Sequence, residues 1–379
     1  MEVLYRGDEK IIMLWLFIVV ILVLISILGV LIYGIIVNKK VKKRMLITVQ
    51  IILIIALAVL AFLIEPKETN DLFRHFEKID LIREKGFDIE LEYDYVIIVR
   101  LLFNLVALLP SNHFLPTISV IITYGISMYI IYDFTKRNET TSRVISISIL
   151  LSFALCSFYV TASGIRNAMA CSFLALGLYL DLIRKEKLVK KIWPYIIAAL
   201  IHPVAYIVII IRLLLNIKWL NKIKYVILLI GLLYRPIMNL FKLINIEITN
   251  YLAQKMNAYI VTESKEDIRW MLVIWMFLIF LYVISIIIEK KNKNKKFDQY
   301  LNFVQIYILF IFALTFVVDI FTRRLTFLLA FFMIPFVYLI EENLEKKQKI
   351  FCYGVLIFLL CGLLPYGLAE LRNTGFMLD

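Results

Sequence analysis

The chain has 379 residues, of which 62% are hydrophobic and 19% charged, and its mean hydropathy is +0.88. This composition excludes a water-soluble globule, because too little polar surface is present to cover one, and indicates a polytopic membrane protein. The formal net charge of +13 lies mostly in short clusters between apolar runs, which indicates anionic lipid rather than nucleic acid as the partner.

Apolar runs long enough to cross a hydrocarbon layer of about 30 Å as helix recur along the sequence. They cover residues 11–37, 45–64, 93–110, 114–132, 144–162, 166–183, 193–215, 225–244, 270–288, 300–318, 325–340 and 350–368. The first run is too long for a signal-peptide core and lacks a small-residue cleavage site, so we expect it to stay as a helix. The runs predict an all-α polytopic membrane protein with roughly 10–12 transmembrane or re-entrant helices, in one integral membrane domain over residues 1–379.

The two longest polar connections, residues 65–92 and 245–269, mix charged and apolar residues at helical spacing. We expect both to be external loops that form amphipathic helices on the membrane surface. In the first loop, Asp71, Arg74 and His75 stand at positions i, i+3 and i+4 and share roughly one helical face. This pattern fits either a binding face or a solvated amphipathic helix.

The lysine and arginine clusters predict the orientation of the chain in the membrane. The clusters are at residues 39–44, 136–137, 184–191, 290–296 and 345–349. If every apolar run crossed, they would fall on both sides of the membrane, so we expect two runs not to cross. The choices are one of the pair 93–110 and 114–132, and the run 193–215, which Pro203 interrupts.

A re-entrant hairpin with His202 and Pro203 at its tip fits the run 193–215, because irregular backbone at membrane depth requires protein or a wet cavity around it. If these two runs do not cross the membrane, every basic cluster is cytoplasmic and both termini are external. The external side then holds the two polar loops, Arg166, and the pair Arg323 and Arg324. Any chemistry is therefore expected to face outward.

Three arginines are candidate anion-binding residues. Arg166 follows Ser163 and Gly164 and precedes an apolar helix predicted to start near Asn167, and a helix N-terminus beside a guanidinium favours anions. Arg323 and Arg324 are adjacent in a loop expected to be external, against the positive-inside tendency. The alternative for each is an arginine that extends to lipid headgroups.

His202 is the histidine inside an apolar run, and it fits either a structural hydrogen bond or a general base. Cys156, Cys171, Cys352 and Cys361 lie inside apolar runs without CxxC spacing, so we interpret them as small core residues. No metal-ligand spacing and no GxSxG, P-loop, dinucleotide or HExxH motif is present. The sequence therefore predicts no cofactor and no metal.

Four segments in this order resemble the EpsG family of Wzy-type polysaccharide polymerases, which are membrane glycosyltransferases of bacteria. They are TNDLFRH with Asp71, SGIRNAMA with Arg166, AALIHPVA with His202, and FTRRLTFLLAFF with Arg323 and Arg324. Two departures are visible. Family members often have Arg-Gln where this chain has Arg166 and Asn167, and a tyrosine four residues after the aspartate where it has His75.

The resemblance implies a polymerase that joins oligosaccharide repeat units carried on undecaprenyl diphosphate, on the outer face of the bacterial cytoplasmic membrane. It implies that Arg166, Asn167, Arg323, Arg324, Arg74 and His75 bind diphosphate or glycan, and that His202 or Asp71 serves as the base. Expected partners are the lipid-linked oligosaccharide, membrane lipids, a chain-length regulator and a flippase.

Three other functions fit the same residues. A transporter or flippase for a lipid-linked glycan would line its path with the arginines. A membrane acyltransferase would use His202 as a base, and a ligase would pass finished glycan to another acceptor. The sequence does not separate the polymerase from the ligase.

Overall fold

The computed structural model describes residues 2–40, 43–68, 70–87, 96–217, 225–226, 233, 268–292, 295–315, 319–372 and 375–376. The predicted run 225–244 and the loop 245–269 lie almost wholly outside these residues. Within them the protein is an all-α polytopic membrane protein, as the sequence predicts. Two-residue strands β1 (Ile64–Glu65) and β2 (Gly375–Phe376) form one small antiparallel pair.

The first helices in chain order are α1 (Glu2–Val37), α2 (Lys43–Phe62), α3 (Asp71–Lys85), α4 (Ile97–Ala107), α5 (Phe114–Asn138), α6 (Ser142–Leu155), α7 (Phe158–Ser163) and α8 (Ile165–Leu178), which continues as a π-helical turn over Tyr179–Ile183. They are followed by α9 (Leu188–Ile201), α10 (Val204–Leu214), α11 (Ile268–Lys291), α12 (Asp298–Thr315), α13 (Asp319–Phe331), α14 (Ile334–Asn343) and α15 (Lys346–Arg372).

Five helices in the described ranges are long and apolar enough to cross a membrane, or six if the bent pair α13 and α14 forms one span. Several predicted runs are instead broken. The run 144–162 divides into α6 and α7 at Ser157, whose side chain caps α7 by accepting a hydrogen bond from the Val160 N–H. A bend of 58° separates α13 from α14. The runs therefore outnumber the long helices.

The basic clusters lie together at one end of the bundle, which we call the basic end (residues 39–40, 136–143, 184–191, 291–292, 295–296 and 345–349). Polar contacts connect these clusters. The Lys39 carbonyl accepts from the Ser142 N–H, Lys296 donates to Asn138, Asp133 contacts both Arg137 and Arg184, and Lys291 donates to Gln348. This gathering agrees with the predicted orientation. That the basic end is cytoplasmic remains a prediction.

The run 193–215 folds back on itself, as the sequence predicts. Asp181, after α8, accepts hydrogen bonds from Lys191 in the first turn of α9 (2.8 Å) and from Arg212 near the end of α10 (2.7 Å). A straight helix would separate Lys191 and Arg212 by about 32 Å, well beyond the combined reach of their side chains across one carboxylate. Thus α9 and α10 form a re-entrant hairpin with His202 and Pro203 at its tip.

The second run that was expected not to cross is also identified. α4 has 11 residues and is about 16 Å long, which is roughly half the thickness of a hydrocarbon core, whereas α5 has 25 residues. α4 instead packs against α3 and the hairpin helix α9. Of the pair 93–110 and 114–132, the first therefore does not cross as a helix.

Candidate functional site at the end opposite the basic clusters

Helix α3 covers the bundle at the end opposite the basic clusters. Its apolar face is buried against the protein, and its inward residues are Leu72, His75, Ile79 and Ile82. Near its C-terminus, Arg83 donates to the backbone carbonyls of Val106, Ala107 and Leu109, which end α4. The first polar loop therefore begins as an amphipathic helix packed on protein.

The three polar residues at the start of α3 do not share one environment, contrary to the sequence prediction. Asp71 and Arg74 form an exposed ion pair, with side chains 43% and 62% exposed. His75 belongs to the inward stripe and is only 4% exposed, with its ring centroid 5.3 Å from that of Phe103. The apolar period of α3 selects His75 as an inward residue, because it is spaced three residues from Leu72 and four from Ile79.

The environment of His75 keeps its ring neutral. Burial, with a smaller contribution from the positive charge of Arg166, lowers the pKa of His75 from 6.5 to about 3, while the Asp71 carboxylate acts in the opposite direction. This interaction places the Arg166 guanidinium close to the first turns of α3. At neutral pH His75 is therefore an uncharged hydrogen-bonding residue beneath the exposed pair.

Arg166 stands in the first turn of α8, which begins at Ile165, slightly earlier than predicted. Gly164 separates α7 from α8, and its N–H donates to the Val160 carbonyl at 2.8 Å. A Cβ at Gly164 would lie 2.9 Å from the Val160 oxygen, so a side chain there would force the junction apart. The half-buried Arg166 is therefore held by a tight helix-to-helix junction, and Asn167 beside it is buried.

The packing of α9 along α8 sets the depth of His202. Lys191 contacts Asp181 at the basic end, and four residues further along each helix the Tyr195 ring lies against Gly177, so the helices run antiparallel. From this register His202 lies about 16 Å from the level of Asp181, and Arg166 about 22 Å. The tip of the hairpin thus ends about 6 Å short of Arg166 along the bundle axis.

The hydrogen bonding of His202 restricts its chemistry. Its Nδ1 atom accepts from the Val204 N–H at 3.1 Å. A backbone N–H only donates, so the ring proton of neutral His202 is on Nε2. In this arrangement Nε2 is a hydrogen-bond donor, which argues against the expected role as base and for a role in contacting an anionic or carbonyl oxygen.

Arg323 and Arg324 lie on α13, one turn after its start, in a helix rather than the predicted loop. The next carbonyl, that of Leu325, accepts a hydrogen bond from the Tyr307 hydroxyl at 2.8 Å, and Tyr307 lies close enough to interact electrostatically with Cys171 on α8. α13 also packs along α8. The backbone of both arginines is therefore level with the first turns of α8, at the same end as Arg166.

Sequence reasoning did not single out two features. Asp181 fastens the hairpin through Lys191 and Arg212. The sequence pattern that could have identified Asp181 is a single carboxylate inside an apolar run, followed by lysines and arginines. His113 lies 3.8 Å from Glu65, beside Phe62 and Phe76, at the end of the bundle that holds α3. Burial lowers the pKa of His113 and raises that of Glu65.

In the described ranges no three His, Cys, Asp or Glu side chains gather as a metal site would require. Cys156, Cys171 and Cys352 are buried and form no disulfide among the described residues, in agreement with their interpretation as core residues, and the side chain of Cys361 lies outside the described set. The polar groups available at the candidate site are therefore guanidinium, imidazole, amide and carboxylate.

The chain has no match among the curated proteins or among the solved structures. The model of the EpsG family, by contrast, matches residues 70–370. The matched range begins at α3, includes α8 and the hairpin, and continues through α13 into α15. Because this match covers most of the chain, the protein belongs to the EpsG family.

Proposed function

We propose that this protein joins oligosaccharide repeat units, carried on a membrane lipid diphosphate, into an exported bacterial polysaccharide at the outer face of the cytoplasmic membrane. EpsG membership supports a polymerase-like membrane protein of polysaccharide biosynthesis. The observation that carries the proposal is the approach of Arg166 and the His202 tip in the half of the bundle opposite the basic clusters.

In the proposed reaction, a hydroxyl of one repeat unit attacks the anomeric carbon of another, and the bond from that carbon to the lipid diphosphate breaks. Negative charge develops on the departing diphosphate oxygen. Arg166, in the first turn of α8, is suited to stabilise it, because its guanidinium stands at the positive end of the helix dipole. We expect Arg323 and Arg324, which lie in α13, to supply further positive charge.

His202 then acts as a donor. With Nδ1 engaged by the Val204 N–H, the Nε2–H of His202 donates to a phosphate or sugar oxygen in the transition state. His202 is partly buried at the tip of the hairpin, and a hydrogen bond to an anion is stronger in such surroundings than in water.

The acceptor hydroxyl must lose a proton, and Asp71 is the carboxylate of this site that fits as base. It is partly exposed at the first turn of α3, next to the buried His75 and paired with Arg74. Arg74, His75 and Asn167 complete the expected glycan-contacting set.

The proposal is tested in a strain lacking the gene, complemented with wild type, Arg166→Ala, Arg323→Ala or Arg44→Ala at matched protein levels. Arg44 is an exposed arginine at the start of α2 and serves as the control. We expect Arg166→Ala to lower polymer formation by about 100-fold or more and Arg44→Ala to leave it unchanged.

The state of the carrier lipid decides among the alternatives. Single repeat units that accumulate on an externally exposed carrier support the polymerase. Polymer of normal length that lacks an acyl substituent would favour an acyltransferase, and carrier retained inside the cell would favour a flippase. Long polymer that is not passed to its acceptor would favour a ligase.

A further inference from the structure

The carboxylate of Asp181 is the point at which both legs of the re-entrant hairpin are fastened. Its side chain is 9% exposed, and its two oxygens are engaged separately, Oδ1 by Lys191 Nζ at 2.8 Å and Oδ2 by Arg212 Nε at 2.7 Å. The side chains of Lys191 and Arg212 are 28% and 11% exposed. An acidic group at this depth requires such partners.

Asp181 stands in the π-helical turn Tyr179–Ile183, which widens α8 near its basic end. Neither leg of the hairpin crosses the bundle, since α9 has 14 residues and α10 has 11. Each leg therefore has one end at the basic end and the other at the tip. A shift at Asp181 is transmitted along two short rigid helices to His202.

We propose that Asp181 is a positioning residue for His202: by binding both legs, it fixes how far the hairpin tip reaches toward Arg166. The hydrogen bond between the Val204 N–H and His202 joins residues two positions apart, so this bond orders the turn without setting its depth. Removal of the Asp181 charge leaves Lys191 and Arg212 as adjacent, partly buried cations whose repulsion separates the legs.

A matched control is available in Asp133. Asp133 and Asp181 are equally buried, at 8% exposure each, and both lie near the basic end with cationic partners. The partners of Asp133 are Arg137, Arg184 and the Tyr179 hydroxyl, all outside the hairpin helices. Asp133→Asn therefore removes a similar buried charge without releasing a hairpin leg.

The position of the tip is measured by pulsed electron paramagnetic resonance between spin labels at Ile121→Cys on α5 and Tyr206→Cys on α10, in an active background without the native cysteines. Both positions are exposed. We expect Asp181→Asn to broaden and shift the distance distribution, Asp181→Glu to restore most of it, and Asp133→Asn to leave it unchanged. Unchanged distances in Asp181→Asn would overturn the proposal.

The effect on activity rests on the proposed function and is measured with purified protein and lipid-linked repeat units. We expect Asp181→Asn to lower kcat about tenfold per folded molecule with KM changed less than twofold, and to have no further effect in a His202→Ala background. Equal loss in both backgrounds would show that Asp181 does not act through His202. If wild-type protein forms no polymer, the proposed function fails, whereas the label distances still decide the hairpin.

Discussion

His75 of α3 lies within electrostatic range of Arg166 of α8, although 91 positions separate them in the sequence. The ring of His75 is buried against Phe103, and the guanidinium of Arg166 disfavours a second positive charge beside it. The covering helix and the first turn of α8 are thus coupled through one neutral imidazole. Protonation of that imidazole must weaken the contact.

We expect acid to loosen α3 through His75. The folded-state pKa is about 3 and the unfolded value is 6.5, so the unfolded state binds more protons between these values. Stability is therefore complete above about pH 6.5 and falls as the pH decreases toward 3, by at most about 1.4 kcal/mol per pH unit for one proton. Thermal unfolding of purified protein in detergent, followed from pH 7 to 4.5, measures the slope.

His75→Phe removes the titrating group and keeps the ring packed against Phe103. We expect this variant to lose less stability than wild type between pH 6.5 and 4.5. An identical slope in the two proteins would mean that His75 is not the group responsible. His113 is expected to account for part of the slope that remains, because burial also lowers its pKa.

Charge and apolar length predicted much of the fold. The gathering of the basic clusters follows from loop charges, because short loops on one side of a membrane must meet in space. The hairpin at Pro203 follows from the requirement that all basic clusters lie on one side of the membrane, together with the missing backbone donor of proline. The expectation that Arg166 lies at the same end as Arg323 and Arg324 follows in the same way.

Local contacts were not predictable from the same patterns. The apolar period of α3 places His75 on the inward face with Leu72 and Ile79, but the electrostatic interaction of His75 with Arg166 depends on how α3 packs on the bundle, which that period does not determine. The tautomer of His202 depends on a turn of two residues. The partners of Asp181 follow it by 10 and 31 residues, too far along the chain for a local pattern to connect them. The positive charge near residue 191 was already explained by the orientation of the loops.

Arg83 is expected to hold α3 onto α4. Its guanidinium donates to three carbonyls at the end of α4 and contacts Asp80 and Asn112. Only a planar guanidinium, with several N–H donors in fixed directions, can make all of these hydrogen bonds at once. Arg83→Ala should lower the free energy of unfolding by about 1–3 kcal/mol, and Arg83→Lys should recover little. Denaturation of purified protein measures both. Arg74→Ala, which removes an exposed ion pair, is the control and should cost less than about 1 kcal/mol.

The junction between α7 and α8 should not tolerate a methyl group. Gly164→Ala places a Cβ 2.9 Å from the Val160 oxygen, whereas a Cβ at Gly125 on α5 meets nothing within 4 Å. We expect Gly164→Ala to lower stability by about 1–3 kcal/mol and to reduce activity through displacement of Arg166. Gly125→Ala should be neutral in both assays. Equal behaviour of the two variants would show that the junction can relax.

The orientation of the bundle is testable with a membrane-impermeant maleimide. Glu345→Cys lies at the basic end, and Glu77→Cys lies on the exposed face of α3. We expect Glu77→Cys to react in intact cells and Glu345→Cys only after permeabilisation, since basic loops stay cytoplasmic. The opposite pattern would place the site inside the cell and remove the basis for an extracellular reaction.

The role of His202 is decided by substitution with glutamine. Glutamine places an amide N–H near the position of Nε2 and cannot accept a proton as a base. If His202 acts as a donor, His202→Gln should keep a substantial part of the activity, roughly a tenth or more, while His202→Ala loses about 100-fold. The two rates are compared with purified protein and lipid-linked repeat units at saturating concentration.

A general base would give a different result, because glutamine and alanine would then be equally inactive and wild-type activity would fall as His202 is protonated at lower pH.

The same experiment examines Asp71. With His202 as donor, Asp71→Asn should be the more damaging change, since it removes the proton acceptor while the exposed helix start tolerates an amide. Full activity in Asp71→Asn would exclude this carboxylate as the base and would leave proton loss to solvent at the outer membrane surface.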